Sequence, residues 1–188
     1  MLSFLLNLFG FSKTPVKIVV LGLDNSGKTT LVSHLKPDDS ARSFEVVPTV
    51  GFTVEKFSKG KLEFTMFDMS GQSTYRGLWE SYYAEIHAII WVLDSSDKLR
   101  MSLAKNELDL LLNHKDVKEK TLPILFFANK MDVHSSLSPV DCMQLLNLDS
   151  IKNKPWHITG SNAINGEGID DGIEWLGNAL TRMKSCKK

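Results

Sequence analysis

Gly22-Leu23-Asp24-Asn25-Ser26-Gly27-Lys28-Thr29 fits the pattern G-x-x-x-x-G-K-[ST] at every fixed position. The chemistry such a stretch performs is phosphate binding, and most of it is done by backbone. Glycine lets the chain curl closely around phosphate oxygens while successive N–H groups point into the curl. Asp24, Asn25, Ser26, Gly27, Lys28, Thr29 and Thr30 supply that cradle, with the positive end of a following helix beneath it. Lys28 is placed to neutralise the β- and γ-phosphates, and the Thr29 hydroxyl to ligate Mg²⁺. With average residue usage the pattern arises at about 4 starting positions in 100,000, so a chance match in this chain is under about one per cent.

Four other stretches hold residues of the right type. Asp68 closes an apolar run, where a carboxylate linked to Mg²⁺ is expected beside such a loop. In isolation it reads as an ordinary exposed aspartate. Gly71 and Gln72 follow it, one with an N–H for a γ-phosphate, the other with an amide able to orient an attacking water. Thr49 lies in a long loop and reaches Mg²⁺ only when a γ-phosphate holds that loop closed; otherwise it is a turn threonine. Lys28, Gln72 and Thr49 are thus the candidate catalytic residues, and Thr29, Thr49 and Asp68 the candidate metal ligands.

Asn129-Lys130-Met131-Asp132 selects the base. A carboxylate accepts two hydrogen bonds from the N1–H and exocyclic amine of guanine. Adenine cannot donate that pair, and would leave Asp132 buried and unpaired. The Lys130 stem is long enough to lie over a purine, and Asn129 can tie the loop to the phosphate-binding region. Ser161-Asn162-Ala163 stands where a second base-contacting loop belongs, with the Ala163 N–H directed at guanine O6; a plain turn explains the same residues.

The elements that must position these residues alternate. Val16 to Leu21 reads as a buried strand and Thr30 to Lys36 as a helix. Phe52 to Phe57 and Leu62 to Phe67 form a hairpin about the turn Ser58 to Lys61. His87 to Leu93 is a strand, Leu99 to His114 a helix, and Leu122 to Ala128 a strand. Val140 to Leu146 is a helix with Pro139 in its first turn, Pro155 to Ile158 a short strand and Ile169 to Met183 the last helix. Residues 73 to 86 read as a polar stretch. The fold class is α/β: a mostly parallel six-stranded sheet with helices on both faces. Gly22, Asp68 and Asn129 all fall at the carboxyl ends of strands, where such sheets bind ligands.

The 188 residues suit one domain with a real core. Lys+Arg and Asp+Glu are both 22, so no overall basic field supports nucleic-acid binding. Cys142 and Cys186 form no metal-like pair, the five histidines are scattered, and no apolar run reaches membrane-spanning length. The start of the chain is distinct. Leu2, Phe4, Leu5, Leu6, Leu8, Phe9 and Phe11 fill a wide helical face opposite Ser3, Asn7 and Gly10. We read residues 1–14 as an amphipathic helix and linker, and residues 15–188 as the nucleotide-binding domain.

Together these motifs resemble the small GTPases, from Val16 to the end. The apolar first segment, Leu23-Asp24-Asn25, Pro48-Thr49-Val50-Gly51-Phe52, Leu78-Trp79, Glu167-Gly168-Ile169 and Trp175-Leu176 are similar to the Arf and Arf-like family. Asp68-Met69-Ser70-Gly71-Gln72, Leu111 to His114 and Ile124 to Ala128 are most similar to its ciliary branch. The resemblance implies a P-loop NTPase of the Ras-like type that binds GTP, GDP and Mg²⁺. It implies slow hydrolysis and a switch that docks on membranes. Its partners would be an effector coat of the BBSome kind, an exchange factor and a GTPase-activating protein. Its location would be the cytoplasm, the cilium base and the ciliary membrane. Phe52, Phe67 and Tyr82 match the family's effector-binding aromatics; alone they read as ordinary core. Two departures stand out. Leu2 replaces the glycine that most Arf proteins myristoylate, and Ser70 replaces the first glycine of the switch. Asp24 occupies a position where Ras-type enzymes have glycine, which suits slow turnover, and no arginine is required to serve as a finger in cis. Another Arf-like trafficking GTPase and a non-hydrolysing GTP-dependent adaptor remain open; Asn129 to Asp132 speaks against a small-molecule kinase.

Overall fold

A computed structural model describes residues 13–36 and 49–185. The amphipathic segment, the loop from Pro37 through Pro48, and Cys186 lie outside the described residues. Six strands form one sheet in the order β2-β3-β1-β4-β5-β6. They are β1 (Thr14–Leu21), β2 (Phe52–Lys59), β3 (Leu62–Met69), β4 (Ala88–Asp94), β5 (Ile124–Asn129) and β6 (Trp156–Gly160). Only β2 runs antiparallel, paired with β3 about the two-residue turn Gly60-Lys61. The hairpin therefore exists, but its strands reach two residues further than the apolar pattern implies. The helices are α1 (Lys28–His34), α2 (Met101–Asn113), α3 (Lys115–Lys118), α4 (Pro139–Leu146) and α5 (Ile169–Ser185). Pro139 sits in the first turn of α4 behind a Ser138–Asp141 capping box.

Period-two alternation in β1 divides the core. Val19 and Leu21 face a layer with Trp79, Trp91, Leu108 and Leu111, covered by α2 and α4. Val16, Ile18 and Val20 face the other layer with Leu31, Ile173 and Leu176, covered by α1 and α5. Both faces of the central strands are thus buried, which is why they read as continuous apolar runs. Residues 73–82, read as a polar stretch, form a 3-10 helix whose only fully buried side chain is Trp79. A single anchored tryptophan leaves little periodicity to detect. Among the described residues no helix is long and apolar enough to cross a membrane.

Candidate functional site

Strand order reverses at β1, which lies between β3 and β4, and the phosphate-binding loop leaves its carboxyl end. The helix that follows begins at Lys28 rather than Thr30, so Lys28 and Thr29 stand in its first turn. Gly27 has φ +90°, and a Cβ there would lie 2.3 Å from Asn129 Nδ2. The loop is therefore shaped by the base-side strand as well as by its own sequence. Lys28 is buried, and its Nζ donates to the carbonyls of Gly22 (3.1 Å) and Leu23 (2.7 Å). Burial pushes its pKa down from 10.5 to about 8, against the pull of Asp68 and Asp24.

Three candidate metal ligands meet. Thr29 Oγ1 donates to Asp68 Oδ2 at 2.6 Å and lies 2.8 Å from Thr49 Oγ1. Asp68 is fully buried at the end of β3, and its Oδ1 has no hydrogen-bond partner. Burial raises its pKa, partly offset by the Thr29 hydrogen bond. An orphaned buried carboxylate oxygen beside two hydroxyls is a donor set of hard oxygens, which fits a divalent cation. Gly71 is pressed onto the loop: a Cβ there would sit 2.3 Å from Asp24 N and Leu23 C. Gln72 is half-buried, with its N–H directed at Ser70 Oγ (3.4 Å).

On the base side, Asn129 is the hub. Its Nδ2 donates to Ser26 O (2.8 Å), and its Oδ1 accepts from Ser161 Oγ (3.1 Å) and Ala163 N (3.0 Å). One buried amide thus joins the phosphate loop to both loops after β5 and β6. Met131 N donates to Ser161 O (3.1 Å) and closes the pair. Asn162 Oδ1 accepts from Ile164 N, which shapes the second loop. Lys130 adopts φ +66°, and its Nζ is tied to Asp94 Oδ2 at 2.6 Å, which fixes the direction of its stem. Asp132 is exposed at the rim beside it rather than buried as its role with the base implies, because it lies in the turn beyond the end of β5.

This layout matches known proteins. The profile of the ADP-ribosylation factor family, Arf, fits residues 1–180. The chain belongs to the Arf family. It is 55% identical to zebrafish (Danio rerio) ADP-ribosylation factor-like protein 6 over 176 residues, 94% of each chain. It is 43% identical to the Caenorhabditis elegans protein of the same name over 186 residues, covering 99% of this chain and 97% of that one. Among solved structures it is similar to the Trypanosoma brucei Arl6 (BBS3) small GTPase with bound GppNp. There the TM-score is 0.83 and the identity 40%, covering 90% of this chain and 99% of that one. The chain is accordingly an Arf-family small GTPase, a guanine-nucleotide-binding fold whose family activity is GTP hydrolysis.

Two features of this Arf-family chain go beyond what residue pattern alone gives. Phe67 and Tyr82 do pack against the core, but only partly buried, and Phe52 joins them at the surface. Phe52 is 40% exposed, and the three rings form a connected surface cluster with centroids 4.8 to 6.5 Å apart. β3 buries Leu62, Phe64 and Met66 on one face, whereas Phe67 lies with Glu63 and Thr65 on the more open face beside the edge strand β2. Second, the Asp24 carboxylate is held by arginines: Arg100 Nη1 lies 3.2 Å from its Oδ1, and Arg76 Nη2 3.7 Å. A lone arginine among polar neighbours carries no pattern that would have marked Arg76.

Proposed function

We propose that this chain is a GTP/GDP switch that hydrolyses GTP slowly on its own and, in its GTP form, recruits a coat of the BBSome kind to membranes at the cilium. The observation that carries this reading is the meeting of Thr29, Thr49 and Asp68, two hydroxyls and a buried carboxylate brought from three segments to one point where a cation and γ-phosphate would sit. Those three residues would hold Mg²⁺. When bound, the cation neutralises charge on the β- and γ-phosphate oxygens.

The chain's own residues do the rest. Backbone N–H groups from Asp24 to Thr30 cradle the phosphates, and Lys28, already confined against two carbonyls, turns its charge to them. Keeping that charge buried at neutral pH costs about 3 kcal/mol, which phosphate contact returns as binding energy. The Gly71 N–H holds the γ-phosphate. Gln72 orients a water so that its oxygen attacks phosphorus in line with the breaking bond to the β–γ bridging oxygen. Asp132 accepts both guanine donors, the Lys130 stem covers the ring, and Ala163 N–H, beside Ser161 and Asn162, faces O6. Asp24 and its two arginines are engaged with each other, so rate must come from outside; an activating protein supplies about 10³–10⁵.

Similarity to the Arl6 proteins supports a coat effector, together with an exchange factor and an activating protein. The apolar face of residues 2–11 would touch membrane when GTP is bound. The test pairs single-turnover GTP hydrolysis, with and without an activating protein, with capture of purified BBSome by Gln72→Leu and Thr29→Asn variants. Acceleration by the activator and capture by the leucine variant alone are expected. Capture without any hydrolysis would leave a GTP-dependent adaptor, and equal capture by both variants would remove the switch.

A further inference from the structure

Arg76 touches three separate segments. Its Nε donates to Gly71 O at 2.9 Å, its Nη1 to Glu107 Oε1 at 2.7 Å, and its Nη2 lies 3.7 Å from Asp24 Oδ1. The side chain is only 12% exposed and that of Glu107 19%. Asp24 is gripped from the other side by Arg100, whose Nε donates to Asp97 Oδ2 at 2.6 Å. Five charged groups therefore run from the 3-10 helix through the phosphate loop to α2 and the turn before it. A guanidinium presents its donors in a rigid fork, so one side chain can fix the relative positions of three partners; an ammonium cannot.

The contact with Gly71 O matters most. That carbonyl shares a planar peptide unit with the N–H of Gln72. Arg76 holds one end of the plane, and Ser70 Oγ meets the other at 3.4 Å. The plane is also pressed against Leu23 and Asp24 by the close approach of Gly71. We propose that Arg76 is a positioning residue for GTP hydrolysis: braced by Glu107 and Asp24, it locks the Gly71–Gln72 peptide over the phosphate loop and so favours the closed, GTP-bound arrangement. Arg76 contacts neither nucleotide nor water in this role. The inference rests on the roles given above to Gly71 and Gln72.

On this proposal, loss of the clamp removes an interaction that favours the closed arrangement over the open one. Arg76→Ala should lower activator-stimulated hydrolysis about 100-fold, the order of loss when reacting groups are misplaced by about 1 Å. It should also lower the ratio of GTPγS to GDP affinity about tenfold, with GDP affinity unchanged. Arg76→Lys should fail to restore either quantity, because the fork is gone. Glu107→Gln, which meets Arg76 and not the switch, should move both quantities the same way by less. Combined with Arg76→Ala it should add nothing. The experiment measures single-turnover hydrolysis, both affinities and the melting temperature of each nucleotide complex for these four variants. Wild-type behaviour of Arg76→Ala and Glu107→Gln would overturn the proposal. So would an equal loss of both nucleotides with a lowered melting temperature of the GDP complex, the mark of a residue that merely holds the fold together. If the wild-type chain showed no hydrolysis with any activator, the proposed enzyme would fail, while the affinity ratio would still decide the clamp.

Discussion

The loops after β5 and β6 and the segments around Asp68 stand on either side of one phosphate loop and are built on opposite plans. On the base side the hub amide is fully paired: Asn129, 1% exposed, makes three hydrogen bonds to two segments, the phosphate loop and the loop after β6. On the γ-phosphate side, charge is buried with incomplete partners. Asp68 Oδ1 has none, and Lys28 has its pKa pushed down to about 8 by burial. The physical lesson is about where binding energy comes from. A preassembled loop binds GDP and GTP alike and costs nothing to organise. On the proposed reading, a cluster with an unpartnered carboxylate oxygen would gain most from a γ-phosphate and a cation, and so would tell the two nucleotides apart.

Substitutions on each side should separate these plans. The largest effect is expected at Asp132→Asn, which reverses the acceptor pattern at the rim. The preference for guanine over xanthine nucleotide should shift by about 10⁴-fold, with affinity measured for both. A variant still preferring GTP would move base recognition elsewhere. Next, Gly71→Ala should place a methyl 2.3 Å from loop backbone and prevent closure. Hydrolysis should fall about 100-fold while GDP affinity holds. If GDP affinity fell as far, the γ-phosphate side would be part of the preassembled half.

Asn129→Ala tests the other half. It leaves Ser26 O, Ser161 Oγ and Ala163 N without their partner, at about 2 kcal/mol. Both nucleotides should weaken by the same factor of about 30, read by equilibrium titration. A loss confined to GTP would blur the division between the sides. The smallest effect is expected at Ser70→Gly. It removes only the 3.4 Å contact to Gln72 N, so hydrolysis should change by no more than about threefold and base affinity not at all.

Much of this molecule was legible in its sequence because the information is local. β1, the phosphate loop and α1 are one contiguous run, and their chemistry is backbone chemistry that glycine positions dictate. Asn129 to Asp132 is likewise one short turn after a buried strand. The strand and helix alternation gave the α/β class with its single antiparallel hairpin. Boundaries moved by two residues or so, since hydrogen-bonded pairing continues past the apolar residues that reveal a strand.

What needed the tertiary structure is whatever depends on distant residues arriving together. Thr29, Thr49 and Asp68 are 20 and 39 positions apart, and only the sheet register sets their hydroxyls and carboxylate within hydrogen-bonding reach. The gathering of Phe52, Phe67 and Tyr82 into one cluster joins the edge strand β2, its neighbour β3 and the 3-10 helix, a meeting no alternation pattern encodes. Arg76 belongs here too: its partners at Gly71, Asp24 and Glu107 lie 5, 52 and 31 positions away. An ion pair needs only opposite charges a few ångströms apart, so its residues carry no spacing rule. The fold alone decides which of the 22 basic residues meet which of the 22 acidic ones.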